Sequence, residues 1–210
     1  MRPIILAVAA AAILAPAACS KKEAPAPETA APAEEGVVHV SAEGDFAENL
    51  QLALIEAEPG QTIVMPEGTF EFTTGLSLDV DDVTLAGAGQ GKTILDFAGQ
   101  TGAGEGLLVT ADDVVLTDFG IRDTKGDGIK SKDSDRITYQ YLTVEWSGEP
   151  DETNGAYGIY PVESTDVLVQ NCTVRGASDA GIYVGQSQNI IVRDSVAEYN
   201  VAGIEIENSS

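Results

Sequence analysis

The chain has 210 residues, 34 of them acidic against 11 basic, for a formal net charge of −23. That length suits one folded domain after processing. The charge argues against nucleic acid and against docking on an anionic leaflet through a basic patch; it suits solubility, calcium, or a neutral or cationic partner, and a solvated acidic surface needs no partner at all.

Residues 1–19 read as a leader. Arg2 is a minimal positive start, and Ile4–Leu14 is an apolar run too short and alanine-rich to span a bilayer. It leads into Leu14-Ala15-Pro16-Ala17-Ala18-Cys19-Ser20. Small residues followed by cysteine resemble the lipobox of bacterial lipoproteins, which implies acylation of Cys19 as the mature N-terminus. Pro16 departs from that motif, which usually has leucine there, and Ala15-Pro16-Ala17 also reads as an ordinary export cleavage site. Two addresses follow: anchored through Cys19 at the periplasmic face of the outer membrane or the cell surface, or soluble in the periplasm or secreted. Residues 20–36 are alanine, proline and glutamate with almost nothing that could pack, the composition of a solvated tether. With Cys19 used by processing, Cys172 is alone and forms no internal disulfide.

The folded part is predicted over 37–210. Asp45 to Glu48 fits a capping box for a helix running to Glu56 and ending at Pro59-Gly60, a cap spanning about 45–58. Leu50, Leu54 and Ile55 give it an apolar side, so it is expected to cover the first coil and blunt an exposed strand edge. Short strands over 62–65, 69–72 and 76–78 then begin a stack.

From there the chain repeats. β-Branched runs start at Val83, Val114, Ile137, Val167 and Ile190, which lie 31, 23, 30 and 23 residues apart. Gly-apolar pairs start at Gly106, Gly128, Gly158, Gly181 and Gly203, spaced 22, 30, 23 and 22. A period of 22 or 23 with two insertions is a repeat in which no unit can bury its own apolar face, so the units must stack. The predicted fold is all-β: a right-handed parallel β-helix with a short N-terminal capping helix. The last run, Ile204-Glu205-Ile206-Glu207-Asn208-Ser209-Ser210, brings no closing segment, so the stack is expected to be truncated, with part of any site in later coils.

Stacking sets side chains from successive coils about 4.8 Å apart. One row reads Arg122, Glu145, Arg175, Glu198, an expected ion-pair ladder; the next reads Asp123, Trp146, Gly176, Tyr199. The outward row after each Gly-apolar pair reads Leu108, Lys130, Tyr160, Tyr183, Glu205, and Tyr160 over Tyr183 is expected to form an exposed aromatic ladder of the kind that stacks on sugar rings or simply stiffens a sheet. Ile121, Val144, Val174, Ile129, Ile159 and Ile182 point inward as core. Cys172 shares a row with Phe119, Leu142 and Ser195 and reads as a buried, inert thiol; Asn171 and Asp194 align at a bend. Asp81-Asp82, Asp112-Asp113 and Asp133/Asp135 read as turn residues.

The insertion Ser147–Tyr157 is the one polar break in the repeat. It is expected to bring Glu149, Asp151, Glu152 and Asn154 near Lys125, Asp127 and Lys130, a set that could bind a glycan, position calcium, supply acid or base groups, or remain an ordinary solvated loop. The candidate substrate-binding residues are Lys125, Asp127, Trp146, Glu152, Asn154, Tyr157 and Tyr183. His39, the only histidine, is expected to lie before the fold, so no histidine base, triad or zinc site is expected. No protein metal ligands are assigned, and calcium is the one cofactor these oxygen donors admit.

The runs NGAYGIYPVESTDVLVQN, GASDAGIYVGQS and AEYNVAGIEIEN resemble a family of bacterial exported β-helix-repeat proteins within the pectate-lyase-like superfamily, many with lipoprotein signals, over about residues 40–210. The resemblance implies a fold and an address but no catalytic residues to carry over. The wider superfamily includes pectate lyases, polygalacturonases and mannuronan epimerases, and this chain lacks the histidine-bearing epimerase motif and the three-aspartate polygalacturonase cluster. What it implies is an envelope protein that binds a polysaccharide, with lyase- or epimerase-like modification as one version; a non-catalytic scaffold for another envelope protein is the alternative, and either is expected to be monomeric. In a lyase, Lys130, Tyr160 or Arg175 would take the proton beside a uronate carboxylate, with calcium or an arginine stabilising the anion.

Overall fold

The computed structural model describes residues 35–102, 104–148 and 150–210. The leader, Cys19, residues 20–34 of the tether and Glu149 lie outside the described residues. Within them the chain winds as a parallel β-helix whose coils present three strand ladders. The first runs through β1 (Val37–His39), β2 (Thr62–Val64), β5 (Thr84–Ala86), the front halves of β8 (Val115–Arg122) and β10 (Thr138–Glu145), then β12 (Thr165–Gln170) and β15 (Gln188–Arg193). The second comprises β3 (Gly68–Glu71), β6 (Thr93–Asp96), the rear halves of β8 and β10, β13 (Thr173–Arg175) and β16 (Val196–Glu198). The third is β4 (Leu76–Leu78), β7 (Leu107–Val109), β9 (Ile129–Lys132), β11 (Ile159–Val162), β14 (Ala180–Gly185) and β17 (Ala202–Glu207).

Corner chemistry explains why short polar signals suffice to bend the chain. Between the first and second ladders the last four coils each turn on one left-handed residue, Asp118, Tyr141, Asn171 or Asp194, with φ between 50° and 62°; aspartate and asparagine tolerate that region best. Between the third and first ladders the turns carry two rows of side-chain bonds, a largely buried serine row and a more exposed aspartate row. The Ser134 N–H donates to Ser164 Oγ at 3.3 Å, Ser164 N–H to Ser187 Oγ at 3.1 Å, and Ser187 N–H to Ser209 Oγ at 3.0 Å. Beside it, Asp112, Asp135 and Thr165 N–H groups donate to the carboxylates of Asp81, Asp112 and Asp135, each at 2.8 Å. Backbone donors at a bend lack ladder partners, and these serines and aspartates accept from them.

The interior is one column. Ile121, Val144 and Val174 stack inward from the second ladder and Ile129, Ile159 and Ile182 from the third, all buried. Cys172 is a buried free thiol that burial pushes up to about 11. In the last coil Ile204 and Ile206, in register with buried Ile182 and Val184, are about half exposed.

Helix α1 (Phe46–Ile55) starts at Asp45, whose carboxylate accepts the Glu48 N–H at 3.2 Å, and lies against β3 and β4. Leu50 and Leu54 are buried as predicted, but Ile55 is 61% exposed; Phe46 takes its place, stacked on Phe70 with centroids 3.6 Å apart. His39 also departs from expectation: it does not precede the fold but closes β1, paired with Val64. The Arg-Glu row keeps its predicted register and extends back to Asp96, but its ion pairs form at its two ends rather than along its whole length. Arg122 turns to Asp96 at 2.5 Å, Arg175 pairs with Glu198, and Glu145 has no ion pair among the described residues.

Candidate functional site

The third ladder carries the densest polar and aromatic chemistry. Its strands hold Lys130 directly beside Tyr160 in neighbouring coils. The Lys130 ammonium sits 4.8 Å from the Tyr160 ring centre, 3.6 Å from Glu105 and 3.9 Å from Asp127. Tyr157 arrives from the end of the insertion and packs against both neighbours, 4.8 Å from Tyr160 and 4.5 Å from Tyr183. Tyr183 is therefore buried beneath Tyr157, its hydroxyl on Glu207, and the expected flat, exposed two-ring ladder is instead a three-ring cluster. Gly185 makes the room: a Cβ there would lie 2.9 Å from Tyr183 Cε1.

The insertion is docked rather than free. Ser147 bonds both carboxylate oxygens of Asp123 at 2.7 and 2.9 Å. Asp151 accepts from the Thr153 N–H and hydroxyl at 2.8 and 2.7 Å, forming a tight turn. Asn154 Nδ2 donates to Gly176 O at 2.7 Å, and Gly155 rejoins the stack against Gly126, receiving Ser178 N–H at 3.0 Å. The Tyr157 N–H donates to Asp127 at 3.2 Å. Asn154 and Asp127 thus brace the backbone while Tyr157 supplies the surface.

The other predicted residues scatter. Arg175 belongs to the second ladder, held by Glu198, and is not brought to Lys130 and Tyr160. Trp146 is 6% exposed, its indole N–H donating to Thr124 O at 2.8 Å; the expectation that it offers its ring to a ligand is corrected, because that ring belongs to the core. Lys125 and Glu152 are exposed. Two participants escaped the sequence reading. Glu105 is in register with Asp127 and could have been found from the Gly-apolar alignment; Tyr199, 69% exposed, became visible only with the cleft beside it.

Charge in the cluster is nearly balanced at its centre and negative around it. Burial raises the Asp127 carboxyl, opposed by Lys130 and helped by Glu105. Burial and the Asp179 carboxylate, 3.4 Å from its hydroxyl, push Tyr157 up to about 12. Its folded value lies above the usual 10, so its contribution to stability is complete below pH 10 and is lost as pH rises through about 12. Alkaline unfolding should therefore steepen over that window, and Tyr157→Phe should flatten it; identical profiles would contradict the assignment. Among the described residues no three His, Cys, Asp or Glu side chains are grouped to hold a metal ion.

Residues 102–210 match the model of a family described as the right-handed β-helix region. The chain belongs to that family. Solved structures similar to this β-helix include an alginate lyase from Paenibacillus sp. str. FPU-7, at 22% identity and TM-score 0.54 over 78% of this chain and 63% of that one. The A-module of a mannuronan C-5 epimerase from Azotobacter vinelandii matches at 18% identity and TM-score 0.55 over 77% of this chain and 55% of that one. The catalytic domain of a GH87 α-1,3-glucanase, in complex with nigerose, matches at 14% and 0.50 over 88% and 40%. These likenesses establish the β-helix fold alone, and this chain spans less than two thirds of each. No curated protein matches the sequence.

Proposed function

We propose that this β-helix binds a polysaccharide on the outward face of its third ladder, as an exported protein of the cell envelope. The observation that carries the reading is the rigid cluster of Tyr157, Tyr160 and Tyr183, ring centres 4.5–5.1 Å apart, with Lys130 over Tyr160 and Glu105 and Asp127 at its edge. Aromatic faces take the apolar side of a pyranose, and a few fixed charged groups take its hydroxyls. The similar structures are enzymes named for polysaccharides, which supports the ligand class by analogy of fold. The leader pattern ending at Cys19 supports the address, with acylation or simple cleavage as its two forms.

Capture fits this face better than turnover. Lys130 is held between two carboxylates, Arg175 lies on another ladder, and Tyr157 and Tyr183 are both shifted toward the protonated form, so at neutral pH they donate protons rather than accept them. Modification of the bound chain is the second reading, and it rests on Asp127, whose raised carboxyl beside Lys130 is suited to acid–base work. Titration of the full chain against a glycan panel tests binding: Tyr160→Ala should weaken it about three- to tenfold, the worth of one lost stacked ring. Ultraviolet absorbance of unsaturated ends separates capture from lyase action. A panel on which nothing binds removes the proposal.

A further inference from the structure

A trough on the far side of the insertion is used by neither the tyrosine cluster nor the core. Where the second ladder turns toward the third, the register Arg122–Glu145–Arg175–Glu198 sets the following residues, Asp123, Trp146, Gly176 and Tyr199, one above another. Trp146 fills its rung and turns its ring inward. Gly176 has no side chain to fill the next. Its φ is +81°, and a Cβ there would stand 3.3 Å from Trp146 Cβ and Trp146 O, so a side chain on this rung would be crowded against Trp146. Two coil spacings then separate Tyr199 from Trp146, about 10 Å along the axis. The gap is a cleft of about 490 Å³, walled by Ser147 and Pro150 of the insertion and floored by Arg175 and Gly176. It continues past Pro150 and Tyr199 into a second hollow of about 310 Å³ beside Glu152 and Asn200.

We infer that this trough is a second sugar subsite in which Tyr199 stacks on a hexose ring that carries no carboxylate. The inference rests on the reading of the third-ladder face as glycan-binding, since the same insertion borders both. Tyr199 stands 69% exposed between the two hollows, and the Arg175 guanidinium lies 6.0 Å from its ring centre, posing the ring rather than leaving it loose. An exposed aromatic ring at the centre of a concave site with a polar rim is the arrangement that takes one face of a sugar. Charge selects the class. Arg175 is matched by Glu198, whereas Glu145, Asp151 and Glu152 have no ion-pair partner among the described residues. The local field is negative, so a uronate unit entering here would be repelled while an uncharged hexose would not.

The test uses the full chain, matched oligomers of glucose, mannose and uronic acids, and the variants Tyr199→Ala, Tyr199→Phe and Tyr160→Ala. Uncharged oligomers should bind more tightly than uronates. Tyr199→Ala should weaken that binding about three- to tenfold, with Tyr199→Phe restoring it, because the ring stacks and the hydroxyl does not. Preference for uronates overturns the inference, as does binding lost in Tyr160→Ala but unchanged in Tyr199→Ala; either result leaves the third-ladder reading standing. Binding of neither class ends both.

Discussion

Gly155→Ala is expected to lower the midpoint of thermal unfolding by roughly 6–12 °C, for a cost of about 3 kcal/mol in a chain of this size. A Cβ at this position would stand 1.7 Å from Gly126 O and 2.6 Å from Trp146 Cζ2. The first neighbour is backbone inside the stack and cannot swing aside; the second is a buried ring tied to Thr124 O. The insertion would have to lift, breaking the Ser178 N–H bond to Gly155 O and loosening Asn154 from Gly176 O. Tyr157, two residues on, would lose its seat over Tyr183, so glycan binding should weaken in the same variant. Gly148→Ala is the control within the same insertion, because nothing lies within 4 Å of its Cβ position, and it should change stability by no more than about 0.5 kcal/mol. Calorimetry of both variants decides the matter: equal midpoints would mean that the insertion is not docked through Gly155.

Phe119→Ala should cost about 3–5 kcal/mol, the largest single effect expected in the interior. Phe119 is fully buried and aligned with Leu142 in the next coil, which leads in turn to Cys172 and Ser195. The side chains in that row shrink along the axis, so truncation leaves the largest void at its Phe119 end. Leu142→Ala should follow at about 2–5 kcal/mol and Cys172→Ala should cost least, since only a sulfur is removed. Stability in a stacked repeat is a sum over neighbouring coils, so the Phe119 variant should also broaden denaturant unfolding as the two flanking parts of the stack uncouple. A reversed order of the three costs would show that the row does not pack as described.

The architecture was open to reading because a parallel stack converts sequence spacing directly into spatial register. The steps of 31, 23, 30 and 23 between β-branched runs reappear as the pairings Thr84–Val115, Val115–Thr138, Thr138–Leu168 and Leu168–Ile191. The turn aspartates announced themselves for a related reason: Asp82, Asp113 and Asp133 hold left-handed backbone, which aspartate tolerates better than most residues. The capping helix carried its own signal in Asp45 and Glu48, both local to it.

What register alone could not supply was the direction of each ring and the occupancy of each rung. Trp146 and Tyr199 share a row, yet one is packed inward beneath Gly155 and the other stands in solvent. Tyr183 shares an outward row with Lys130, yet it is buried because Tyr157 crosses over it from the insertion. Each outcome depends on where an irregular segment rejoins the stack and on which neighbour happens to be glycine, and such contacts between residues some 20 to 30 positions apart leave no periodic trace. The sequence by itself determined the β-helix, its coil boundaries, its inward core and the place of its one polar insertion. Only the tertiary structure decided that Tyr157, Tyr160 and Tyr183 form one cluster, that Trp146 is withdrawn from the surface, and that the missing side chain of Gly176 opens a trough at Tyr199.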